Sequence, residues 1–96
     1  MNRDDFVFTV GYTGNTAIVD RDLRRRYRKA GARDLFAAGL YKPAFAAALF
    51  DADEESQRWI AEEYSKLSGA NYGVPELKRL FGVFSVPEGV DKVRAV

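Results

Sequence analysis

Residues 5–19, DFVFTVGYTGNTAIV, decide the fold. Alternation sets Phe6, Phe8 and Val10 on one side of an extended chain and Val7 and Thr9 on the other, and the aromatic and β-branched content is strand chemistry. Thr13, Gly14 and Asn15 supply turn residues, with Gly and Asn tolerating positive φ, and Thr16–Val19 resumes strand character. The expectation is a β-hairpin with a first strand from Asp5 to Tyr12. An isolated hairpin is marginal in water, so the rest of the chain must cover its apolar face.

Beyond the hairpin the chain is helical in pattern. Asp20 is suited to cap a helix running to about Ala30, with Gly31 as its terminator. On that helix Leu23, Tyr27 and Ala30 form a narrow apolar stripe, while Arg21, Arg24, Arg25, Arg28 and Lys29 fall on the opposite face. Arg33–Leu40 and Pro43–Phe50 read as two short Ala-rich helices, because Pro suits a first helical turn and disfavours helix at Lys42. A single kinked helix is the alternative. These alanines allow close backbone approach, which makes this pair the expected centre of packing.

Asp51 or Asp53 is expected to cap the next helix, with Asp51 and Glu54 spaced as a capping box. Ser56, Ile60, Tyr64 and Leu67 would form its inner stripe, Trp59 its flank, and Gly69 its end. Pro75–Phe81 predicts a last short helix stopped by Gly82, and Val83–Val86 a third strand. The fold class is therefore α+β: one domain over residues 1–96, an N-terminal hairpin covered on one face by four or five short helices. A mostly helical domain is the alternative.

The net charge of +1 conceals a split between two blocks of the chain. Residues 21–33 hold seven basic side chains against one acid, and residues 51–63 hold six acids against one base. The acidic block is explained by capping and by carboxylates in a helix's first turn, where the dipole favours them. The basic block has no comparable local role.

Composition narrows the chemistry. Cysteine and histidine are both absent, which excludes disulfides and thiolate metal sites and removes the commonest base and metal ligand. A noncatalytic protein without cofactor is expected. No basic and apolar leader is evident at the N-terminus and no stretch is apolar enough to span a membrane, so a cytoplasmic location is the default expectation.

Each local motif has a simpler reading beside a functional one. GYTGNT (11–16) lacks the Gly-Lys-Ser/Thr ending of a phosphate loop and reads as a turn. Asp51, Asp53, Glu54 and Glu55 lack the order of a calcium loop, and helix capping accounts for them, so no metal site is assigned. Glu62 and Glu63 are adjacent on a helix and diverge by about 100°. Tyr41, Lys42 and Pro43 read as a helix junction.

The leading functional expectation is a protein-interaction or self-association module with segregated charge. The alternative is nucleic-acid binding through the basic helix, weakened by a pI of about 8.0. The candidate binding residues are Arg21, Arg24, Arg25, Arg28, Lys29 and Trp59, the last as an interface anchor or, on the simpler reading, a half-buried core residue.

Overall fold

The computed structural model describes residues 1–96 and has an α+β fold. In chain order it comprises α1 (Arg3–Val7), β1 (Thr9–Thr13), β2 (Thr16–Val19), α2 (Arg21–Arg26), α3 (Ala32–Ala37), α4 (Tyr41–Phe50), α5 (Glu54–Ser68), α6 (Val74–Phe81) and β3 (Lys92–Ala95). The sheet order is β1-β2-β3, with β1 antiparallel and β3 parallel to β2.

The hairpin is present but begins later than its alternation suggests. Thr13 pairs with Thr16, leaving Gly14 and Asn15 as a two-residue loop in which Gly14 takes a φ of 58°. Asp5–Val7 is helical. Asn2 and Asp5 form a capping box: the Asp5 amide donates to Asn2 Oδ1 at 2.9 Å and the Asn2 amide to Asp5 Oδ2 at 3.4 Å. A strand would bury alternate residues, whereas this turn and its cap bury Phe6, Val7 and Phe8 together, each at most 4% exposed. Local capping and three consecutive buried side chains override the alternating pattern.

The third strand is not Val83–Val86, which has no strand structure. Gly82 ends α6 at a φ of 68° and Pro87 has no amide to give a ladder. The place beside β2 is taken by Lys92–Ala95 instead, in register from Thr16 opposite Lys92 to Val19 opposite Ala95. The Asn15 carbonyl accepts from the Asp91 amide at 3.1 Å, and the Val96 amide donates to the Val19 carbonyl at 3.0 Å, so both ends of the pairing are held.

Helix α4 is the centre. Ala44–Ala48 are all buried, and α1, α3 and α5 pack around them. The helix starts at Tyr41, two residues ahead of Pro43, because a proline within the first turn removes an amide that has no partner anyway. Asp53, not Asp51, caps α5; Asp51 instead closes α4 and pairs with Arg3. Of the expected α5 stripe, Ser56 and Ile60 are buried and Tyr64 half-buried, but Leu67, in the last turn, is 62% exposed.

One contiguous core joins Val7, Phe8, Ala17 and Val19 of the sheet side to Leu35, Ala44, Phe45, Ala47, Ala48, Ile60, Ala61 and Leu77 of the helices. No helix is long and apolar enough to cross a membrane. Phe45 is fully buried, and its ring meets Phe81 at a centroid distance of 6.0 Å. Phe45→Ala is expected to lower unfolding free energy by about 3–5 kcal/mol, measured as a reduced urea midpoint at unchanged slope.

Candidate functional site

The basic block is used locally before it faces solvent. Helix α2 ends at Arg26, not near Ala30, so Arg28 and Lys29 lie in the following turn and Gly31 caps α3 rather than closing α2. Leu23, Tyr27 and Ala30 do pack against the core as a seam. Lys29 has a φ of 59°, a left-handed conformation uncommon for a residue with a side chain, and its amide donates to the Asp4 carboxylate at 3.2 Å.

Arg24 is tied most firmly. Its Nη1 stands 2.7 Å from Oδ1 of Asp5, a residue that is only 8% exposed. Arg21 Nη2 donates to the Ala95 carbonyl at 3.0 Å, joining α2 to β3. Arg25 pairs weakly with Asp22 at 3.5 Å, with both side chains largely in water. The side chains of Arg26, Arg28 and Lys29 make no ion pair. Arg21, Arg24, Arg25 and Arg28 surround one shallow hollow, but Asn2, Asp4 and Asp5 line it with them. The two carboxylates offset the positive field where the arginines converge.

The two charged blocks share one ion pair, Arg33 to Glu55 at 3.9 Å on the surface. The acids are engaged elsewhere. Asp51 accepts a bidentate pair from Arg3 at 2.9 and 3.1 Å. Asp53 accepts from the Ser56 amide at 3.0 Å and hydroxyl at 2.7 Å, and Glu63 pairs with Lys66. Trp59 lies apart from the basic hollow: half-buried on α5, it meets the Phe36 ring at 5.2 Å, and the Arg33 guanidinium sits 4.7 Å over its face.

A different feature assembles apolar surface. A cleft of about 280 Å³ runs between β1, the α1–α4 face and residues 82–87, lined by Phe6, Val7, Ala46, Val83, Phe84 and Pro87 with Thr9, Gly11, Tyr12, Lys42 and Ser85. Of its lining residues Tyr12 and Phe84 are exposed by 46 and 58%, and Val10 of β1 and Val86 of the 82–87 segment are exposed by 58 and 41%. Burial against the cleft wall pushes the Tyr12 phenol up, with the Thr9 hydroxyl pulling the other way. Sequence reasoning missed this cleft. Its one available signal was the apolar pair Phe84 and Val86 between Gly82 and Pro87, which reads equally as a third strand.

Comparison with known proteins gives no match to a family model, a curated protein or a solved structure.

Two outcomes follow from the charges. Arg24→Ala strands a buried carboxylate and is expected to cost about 1–3 kcal/mol of stability, whereas Arg25→Ala and Arg28→Ala change little, as denaturant titrations will register. The Ser56 hydroxyl and amide hold the Asp53 carboxyl below its ordinary 3.8. A lowered native pKa stabilises the fold above the ordinary value and loses that contribution as pH falls through the lowered one. Thermal melts from pH 6 down to pH 2 should therefore show the gap between wild type and Asp53→Asn narrowing only below about pH 4.

Proposed function

We propose that this chain is a noncatalytic protein-interaction module whose contact surface is the cleft beside β1. The observation carrying this reading is the pair of exposed aromatic rings, Tyr12 and Phe84, that line an apolar hollow, with Val10 and Val86 exposed on the same two segments of the chain. Soluble chains seldom leave large apolar side chains contiguous in water, and those that do generally bury them against a partner. Aromatic residues at the rim match the composition of interface anchors. Segregated charge, with Arg26, Arg28 and Lys29 free to steer an encounter, adds rate and orientation rather than affinity.

Nucleic-acid binding through the basic segment Arg21–Lys29 is the second reading, motivated by Arg21, Arg26, Arg28 and Lys29, whose side chains have no carboxylate partner. It is weaker because Asp4 and Asp5 stand in the same hollow. Backbone phosphate contacts would make its affinity fall steeply with salt.

Two substitutions test the cleft without touching the core. Phe84→Ser removes an exposed ring, and Gly11→Leu projects a side chain where an added Cβ meets nothing within 4 Å. Both should leave the thermal midpoint within about 2 °C of wild type while abolishing partners captured by wild-type chain, or self-association seen by light scattering across salt concentrations. Partner sets and molar mass unchanged by both variants would remove the cleft as the contact surface. Nucleic-acid mobility shifts lost on Arg25→Ala plus Arg28→Ala would favour the second reading.

A further inference from the structure

We infer that the cleft takes an extended acidic segment of a partner protein, which adds as a strand to the free edge of β1 and sets a carboxylate on Lys42. The inference rests on the interaction reading above and specifies the chemistry of the partner.

Strand β1 is one of two sheet edges, and the two are built differently. The β3 edge carries Lys92 and Arg94 within its four residues, charges of the kind that discourage strand addition. Strand β1, TVGYT, carries no charge and no proline. A bulge between Thr9 and Gly11 leaves Gly11–Thr13 as its regular part. Thr9, Gly11 and Tyr12 of this strand all line the cleft, so the cleft runs alongside β1. An added strand would send alternate side chains toward Phe6, Val83 and Phe84 while its backbone pairs with β1.

Lys42 gives this groove a polarity. It is the one charged residue lining the cleft, half-buried on α4 one turn before Ala46, and its ammonium makes no ion pair. Asp20 shares an adjoining hollow with it, but that carboxylate caps α2 by accepting from the Leu23 amide at 3.0 Å. Every other half-buried cation differs: Arg3 and Arg24 are held by carboxylates, and Lys78 faces another hollow that Glu54 and Glu62 share. A half-buried, unpaired ammonium beside an apolar hollow favours a carboxylate with which it can form a charge-assisted hydrogen bond, and disfavours a cation. A second copy docking edge to edge would set two such clefts together, each with one cation and no acid. Charge complementarity therefore selects an acidic segment over self-pairing.

The experiment pans a displayed random heptapeptide library against the wild-type chain and against Lys42→Glu and Lys42→Gln, each checked for native circular dichroism. Wild type is expected to enrich peptides with alternating Val, Ile, Leu or Phe and an Asp or Glu at a fixed offset. The acid preference should vanish with Lys42→Gln and reverse to Lys or Arg with Lys42→Glu. Replacing the acid in an enriched peptide by its amide should weaken wild-type binding about tenfold, and binding should protect the β1 amides from hydrogen exchange. Apolar peptides enriched without an acid, or the same peptides enriched by all three chains, would overturn the role of Lys42 while leaving the interaction reading standing. No enrichment by any chain, or a concentration-dependent dimer that excludes peptide, would overturn the proposal, and the former would remove the interaction reading with it.

Discussion

Five consecutive residues of α4, Ala44–Ala48, are buried, so the helix has no face it can leave in water over that stretch and must be enclosed by its neighbours. This constraint organises the molecule. Because four of the five are alanines, the backbones of α1, α3 and α5 can approach closely, and Phe45 supplies the bulk that fills the remaining space. The short capped helix α1 is part of the same enclosure. It brings Phe6 against Phe50 at 5.9 Å and links α4 to β2, so the sheet is attached to the helices through an element that alternation alone would assign to the sheet.

The same enclosure explains the distribution of charge. Closing α1 over α4 brings Asp4 and Asp5 to the foot of α2, where Arg24 and the Lys29 amide meet them, and brings Arg3 to Asp51. Most of the exposed pairs contribute little to stability individually, since side-chain entropy and solvent screening offset their attraction. Arg24 with Asp5 differs because the carboxylate is nearly covered. The dipolar look of the chain is thus partly dissolved by acids that lie outside the acidic block altogether.

The surface that the enclosure leaves uncovered is equally informative. The chain returns from α6 through residues 82–87 without entering the sheet, and β3 joins on the far side of β2 from β1. The β1 edge of the sheet is left open, with apolar side chains beside it and a single unpaired ammonium. A groove of this kind is invisible to hydrophobic periodicity, because its walls come from separate parts of the chain: α1, β1, α4 and residues 82–87.

Sequence alone determined the α+β class, the hairpin turn at Gly14–Asn15, the Asp20 cap, the apolar seam of Leu23 and Tyr27, the burial of the alanine segment and the course of α5 to Gly69. Each depends on chemistry within a few residues: a turn glycine, a capping carboxylate, a repeat of apolar positions. Tertiary structure decided that Asp5–Val7 coil into a helix, that Lys92–Ala95 rather than Val83–Val86 joins the sheet, which acid each arginine meets, and where the open cleft lies. Those outcomes depend on burial and on hydrogen-bond partners far along the chain, such as Asn15 with Asp91 or Arg21 with Ala95. Local propensity carries no information about partners at that distance. Packing around α4 selects them.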